Sequence, residues 1–321
     1  MSRFDAVGFG ALNVDKLFKV DRIAVAEEES SVIDYSETCG GSAANTIVGL
    51  ARLGCKVGFI GKVACDSEGN KLLQEFRDEG VDTKGIAIAK DGRSGKVMGF
   101  VDRNGQRALY IDPGANDMVD PKDVNLTYIA NTKLLHLTSF VGEQSFQTQK
   151  WLLEKLPKNV DVSFDPGALY ARRGMKELRP IIEKTSIMLP NAGELALITG
   201  KNDYKEGADL LLDNGVKIIA VKLGSKGCYA TDGKRSHLVA PFKIKVIDTT
   251  GAGDAFDAGF LYGLLTGMTL DEAAKAGNFV ASRCVMAMGA RTGLPALESL
   301  KTNAGRNLRR TRDFSRSFFT Q

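Results

Sequence analysis

Short apolar runs alternate along the chain with longer stretches in which apolar residues recur three and four positions apart. That alternation is the pattern of a parallel sheet covered by helices, so the fold class read from it is α/β. Phe4 to Leu12 reads as the first strand and Cys55 to Gly61 as another, with further strands expected at 132–138, 160–164, 185–190 and 216–222. Between the first two, Ala44, Ile47, Val48 and Ala51 stand at i, i+3, i+4 and i+7, a helix that meets the sheet with its apolar face and stops at Gly54. Covering helices are expected at 143–156, 204–214, 252–266 and 270–288.

Two regions, about 18–38 and 85–112, break this rhythm. In the second, Lys96–Val101 and Arg107–Asp112 flank a turn at Arg103-Asn104-Gly105, which is hairpin chemistry inserted into an α/β chain. The simplest reading is a small β-sheet projecting from a main domain of residues 1–300. Such a sheet would cover a cleft and exclude water, or it would serve as a homodimer interface. The basic stretch 301–321 reads as a solvated tail.

Composition narrows the function classes. The chain has 321 residues, 43% of them apolar, enough to bury a large core. Its 43 Lys+Arg against 39 Asp+Glu are spread along the chain, so a nucleic-acid partner is not implied. Five cysteines without a C-x-x-C pair, and two histidines, argue against a disulfide framework or a zinc site and fit a reducing cytoplasm. No apolar run is long enough for a signal peptide or a membrane span.

The chemistry concentrates at Asp248-Thr249-Thr250-Gly251-Ala252-Gly253-Asp254, between a strand-like run, Lys243–Ile247, and an apolar helical pattern reaching Leu265. Small residues let the N–H groups of a turn and helix start approach an anion, where the helix dipole also favours negative charge. A carboxylate inside a phosphate cradle would repel the phosphate. Asp254 therefore makes sense as a base that holds and deprotonates an incoming hydroxyl. The plainer alternative, a helix-stabilising charge, is less needed where Asp248 and two threonines already offer caps.

This segment closely resembles the carboxy-terminal signature of the ribokinase-like, or PfkB-type, carbohydrate and nucleoside kinases. The resemblance runs from Gly8 to about Gly293. It implies a three-layer Rossmann-like ribokinase fold with a small β-lid, ATP as phosphoryl donor and Mg2+ as cofactor. It further implies Asp254 as catalytic base, with Gly251, Ala252 and Gly253 as the anion hole. Asp248 and Thr250 would contribute to a monovalent cation (K+) site.

At the acceptor end, Cys39-Gly40-Gly41-Ser42-Ala43-Ala44-Asn45 opens the first helix, and Gly40 and Gly41 permit close backbone approach. It looks like the family's amino-terminal signature, in which the second glycine and the asparagine touch the acceptor. Asn13 and Asp15, two residues apart after the first strand, project to one side and could bond vicinal hydroxyls. In ribokinases a glutamate follows the strand equivalent to 132–138. Here Ser139 and Phe140 stand there, and the aromatic either stacks on a nucleobase or packs in the core. The acceptor is thus a small-molecule sugar or nucleoside.

At the nucleotide end, Asn191 and Glu194 form an N-x-x-E pair. It reads as a reciprocal helix cap or, by family resemblance, as an organiser of Mg2+ and phosphates through water. The same resemblance places Lys222, Gly224, Ser225 and Gly227 along the nucleotide, with Asn278 and Gly289 beside the adenine. No G-x-x-x-x-G-K-[ST] loop occurs, so the phosphates are held without one. A non-catalytic sensor would be expected to have lost the base. A nicotinamide enzyme would need a third glycine where Asn13 stands.

Overall fold

A strand that is apolar at every position must be covered on both faces, and the computed structural model, which describes residues 3–104 and 106–304, resolves that demand into three layers. The central sheet has nine strands. In spatial order they are β13 (Ser236–Val239), β12 (Cys228–Thr231), β11 (Ile218–Lys222), β10 (Ile187–Met188), β9 (Asp161–Phe164), β8 (Thr132–Leu137), β1 (Phe4–Phe9), β4 (Val57–Ala64) and β5 (Asp82–Ala89). Pairing is parallel from β5 to β11 and antiparallel through β12 and β13.

The two-residue period of a strand sends neighbours to opposite layers. Ala6, Phe59, Leu134 and Ala220 enter a core with α1 (Ser42–Arg52), α9 (Ala252–Leu265) and α10 (Leu270–Cys284). Val7, Ile60, Leu135 and Ile219 enter a second core with α4 (Glu143–Lys155), α6 (Gly174–Ile182) and α8 (Tyr204–Asp213). Gly259 is what lets α9 and α10 meet, since a Cβ there would stand 2.5 Å from the Ala276 carbonyl oxygen. No described helix is long and apolar enough to cross a membrane.

A second sheet stands apart, in the order β3 (Val32–Gly40), β2 (Asn13–Val20), β6 (Gly95–Val101) and β7 (Arg107–Asp112). Its outer pairs are antiparallel and its middle pair is parallel. The lid therefore starts at Asn13, earlier than the expected boundary near 18, because β1 ends at Phe9. Residues 82–89, assigned in part to the lid from sequence, form the edge of the main sheet. Lys243–Ile247 is not a strand; Ile247 and Asp248 instead donate backbone N–H groups to the Val285 carbonyl just past α10. The expected helix 270–288 stops at Cys284, with Val285 as its C-cap. Of the basic tail, residues up to 304 complete α11 (Leu297–Ala304) and bury Leu300; the remainder, like the Gly105 of the predicted turn, lies outside the described residues.

Candidate active site

The loop before α9 is built by its own polar side chains. One Asp248 carboxylate oxygen accepts from the Thr250 N–H (2.9 Å) and hydroxyl (2.7 Å), and the other from the Gly289 N–H (2.8 Å). These bonds tie the loop to the segment after α10. Gly251 follows with φ 74°, and a Cβ there would stand 2.5 Å from that of Ala290. Only glycine passes this point without strain. The N–H groups of Gly253 and Asp254 lie in the first turn of α9, where helix geometry supplies no intrahelical acceptor. The Ala252 N–H, expected in the anion hole, donates to the Thr249 carbonyl at 3.2 Å and helps shape the turn.

Asp254 stands beside this helix end. Its Oδ2 accepts from the Asn45 side-chain amide at 2.7 Å, and its backbone carbonyl accepts from the Thr46 hydroxyl at 3.2 Å. Burial pushes its carboxyl up to about 6, against the opposing hydrogen bond from Asn45. Asp15 is likewise pushed up to about 6 by burial, with Arg291 pulling the other way and the Asp254 charge adding to the rise.

The two amino-terminal glycines have separate tasks. Gly41 caps α1 at φ 106°, where a Cβ would stand 2.1 Å from the Ala11 carbonyl oxygen. Gly40 makes room for Asp15, whose Oδ2 would be 2.2 Å from its Cβ. Asn13 sits opposite Gly40 on β2, with its Oδ1 accepting from Asn116 at 2.9 Å. That bond leaves the Asn13 NH2 as the donor it presents. Asn13 and Asp15 thus belong to the lid and not to the end of the first strand of the main sheet.

Asn13, Asp15, Gly41, Asn45, Ser139 and Asp254 line one cavity of about 410 Å3, together with residues 249–253. Phe140 does not: it is 1% exposed and its ring packs edge-on against Phe9, 5.5 Å between centroids. Of the two readings of this ring, packing in the core is the one the fold takes, and the stacking reading is given up, because the residue after Ser139 turns into the second core. Besides the apolar wall of the cavity, two of its polar residues, Asn116 and Asp117, were not found from sequence. Asn116, buried, bonds the Leu12 backbone at both ends of its amide (2.8 and 2.9 Å). Asp117 lines the cavity with its Oδ1 anchored on the Gly142 N–H, and burial raises its carboxyl. Both lie in a short turn, Gly114–Met118, whose sequence reads only as a loop.

At the other end, Asn191 and Glu194 form a reciprocal cap on α7 (Ala192–Thr199), with Oδ1 accepting from the Glu194 N–H (2.9 Å) and Oε2 from the Asn191 N–H (2.8 Å). The second Glu194 oxygen is left for a ligand. Burial raises this carboxyl, and the charges of Asp165, Lys222 and Asp254 act on it, so it shares the field of the site. One carboxylate fits an ion that keeps most of its water, as Mg2+ does. Gly224 and Ser225 are exposed on a single turn after β11.

Four residues expected at the nucleotide have internal partners. The Lys222 ammonium pairs with Asp165 (2.8 Å) and Asp257 (3.2 Å), 3.5 Å from where a Gly253 Cβ would be. Burial would lower its pKa, but the charges of Asp165 and Asp257 raise it instead, and burial in turn raises the Asp257 carboxyl well above the usual range. Lys222 therefore lies just beneath the start of α9, its ammonium held from inside the protein by two aspartates. Gly227 has φ 87° against the Val239 carbonyl. The Asn278 NH2 is spent on the Val239 and Ala240 carbonyls (3.0 and 3.1 Å), and Gly289 on Asp248.

With this geometry in hand, the comparisons are specific. Residues 4–297 match the model of the pfkB family carbohydrate kinases. A protein of Archaeoglobus fulgidus called an uncharacterized sugar kinase is 45% identical over 251 residues, 77% of this chain and 98% of its own. An ATP-dependent ribose-1-phosphate kinase of Halopiger xanaduensis is 31% identical, over 88% of this chain and 92% of its own. The Thermotoga maritima ribokinase crystal structure superimposes with a TM-score of 0.83 at 26% identity, covering 93% of this chain and 98% of that one. The sequence signature, the three-layer fold with its separate small sheet and these matches agree: the chain belongs to the pfkB family of carbohydrate kinases and is a ribokinase-like enzyme.

Proposed function

We propose that this kinase transfers the γ-phosphoryl group of ATP to a hydroxyl, a primary one by family likeness, of a neutral sugar or nucleoside, with Asp254 as general base. The observation that carries the reading is the placement of Asp254. Its carboxylate stands at the open end of a helix, faces the cavity, and is held from the acceptor side by Asn45. Asn13 and Asp15 would bond the remaining hydroxyls from the lid, and the amides of Gly251 and Gly253 would receive charge on the transferred group. Mg2+, held through water near Glu194, would neutralise phosphate charge. The Asp248 oxygens are already bonded within the loop, so a monovalent cation near Thr250 would rely on backbone oxygens.

Charge selects among acceptors. Among the described residues lining the cavity, Asp15, Asp117 and Asp254 are acidic and none is Lys or Arg. An acceptor that already carries a phosphate or carboxylate would face three carboxylates without a partner, a heavy penalty in a partly desolvated site. This favours a neutral acceptor over the phosphorylated one for which the Halopiger xanaduensis relative is named. A nucleoside remains a second reading, favoured by the apolar wall of Val97, Ile111, Pro113, Val141 and Leu169.

ADP release across ribose, fructose, adenosine, cytidine, inosine, ribose 1-phosphate and keto-deoxygluconate tests the reading. Turnover is expected with a neutral member, and Asp254→Asn should lower kcat on the order of 100- to 10,000-fold with little change in nucleotide affinity. Preference for an anionic acceptor would remove the charge argument. Near-native turnover of Asp254→Asn would remove the base.

A further inference from the structure

We infer that Arg291, which does not line the acceptor cavity, is a positioning residue that orients the Asn45 amide and through it the carboxylate of Asp254. The inference rests on the reading of Asp254 as base. Arg291 is 6% exposed, in the turn after α10, and its guanidinium meets three partners. Nε donates to Asn45 Oδ1 at 2.8 Å, Nη2 to the Gly40 carbonyl at 3.3 Å, and Nη1 lies 2.9 Å from the Glu75 carboxylate.

The direction of this chain follows from what each group can do. An asparagine amide has nearly the same shape either way round, so its partners decide which end faces which. A guanidinium has donors and no acceptor. It therefore claims Oδ1 and leaves Nδ2 for Asp254, where the bond is 2.7 Å. The reversed amide would set its NH2 against the guanidinium and its oxygen against the carboxylate, losing both bonds. The bonds thus run one way, from cation through amide to anion, and each polarises the next.

The anchor is itself fixed. Arg52, paired with Glu79, donates to the backbone carbonyls of Arg291 (2.6 Å) and Leu294 (3.1 Å). The Arg291 guanidinium, for its part, holds the carbonyl of Gly40, whose missing side chain makes room for the Asp15 carboxylate. One side chain thereby bonds both the glycine that makes room for Asp15 and the amide that holds Asp254. The charged and titratable groups facing Asp254 are Asp15 from the lid, Asp165 after β9, Glu194 on α7, Lys222 on β11, Asp257 on α9, Cys284 on α10 and Arg291. Of these, Arg291 is the one hydrogen-bonded to the group that donates to the base.

The test compares Arg291→Gln and Arg291→Lys with Glu75→Gln, in the full-length protein. Two measurements are made, 15N NMR of the Asn45 side-chain amide, assigned with Asn45→Ala, and the pH profile of kcat/KM with the best acceptor of the panel. In the native protein the Asn45 signals should titrate with Asp254. In Arg291→Gln that titration should weaken and its midpoint rise, with kcat falling on the order of 100-fold and KM for ATP unchanged. Arg291→Lys, which restores one donor, should recover part of each effect, and Glu75→Gln, which keeps the guanidinium, should change neither.

A folded Arg291→Gln with native Asn45 signals and a native acid limb overturns the inference. If that variant does not fold, Arg291→Lys decides by the same two measurements. Full activity of Asp254→Asn would instead sink the base itself, and is read separately from the Arg291 series.

Discussion

Asp254 must be ionised to act as a base, yet burial favours its neutral form, and the two demands pull in opposite directions with pH. Its carboxyl rises from 3.8 to about 6 in the fold. Stability from this group is full below the unfolded value and is lost as pH climbs through 6, because the unfolded chain ionises more readily. Activity runs the other way and should fall as pH drops below about 6. Asp254→Asn is therefore expected to be inactive and also more stable than the native enzyme at pH 7.5, by ~1–3 kcal/mol, with the gain gone near pH 4. Urea unfolding at the two pH values measures it. Equal stabilities at pH 7.5 would mean that the carboxylate is solvated after all. That Asp254 would face the cavity was legible in the sequence, because a carboxylate among the glycines of a helix start asks for a chemical reason. The orientation of Phe140, Lys222 and Asn278 was not, since each lies between two packed layers and sequence does not say which layer takes the side chain. Arg291 left no local signal either: its partner Asn45 is 246 residues away.

At the scale of elements, strands were legible where both faces are buried, as in 132–138 and 216–222, because continuous apolar runs survive any register. β12 and β13 were missed: they are four residues each, and β13 is largely exposed. Lys243–Ile247 has the composition of a strand, but its Ile247 N–H finds the Val285 carbonyl just past α10 instead of a neighbouring strand. The α7 cap raises the question whether Glu194 serves the helix or the nucleotide. A glutamine at this position keeps the cap, since its carbonyl accepts the Asn191 N–H as the carboxylate does. Glu194→Gln should thus leave thermal stability nearly unchanged while raising the Mg2+ concentration needed for half-maximal turnover. An unchanged Mg2+ requirement would reduce Glu194 to its capping role.

The cavity lies between the three-layer domain, which carries Asp254, and a thin sheet that carries Asn13 and Asp15. A four-stranded sheet this small has little core of its own. Its free edges, β3 and β7, bear Val32, Ile33, Tyr35, Leu109, Tyr110 and Ile111, each about half exposed. An apolar edge strand with open N–H and C=O groups is a template for pairing, and soluble proteins cover such edges. We propose a second copy of the chain as the cover, lid against lid. Sedimentation equilibrium at micromolar concentration should then report a dimer. Leu109→Lys, with its charge placed on the edge strand away from Asp254, should shift it toward monomer and raise KM for the acceptor more than it lowers kcat, because the residues it loosens, Asn13 and Asp15, are those proposed to bind the acceptor and not to transfer protons. A native protein that sediments as a monomer at every concentration tested would leave the lid as a cover for the cleft alone, and its exposed apolar edge would have to be buried by closure over the acceptor.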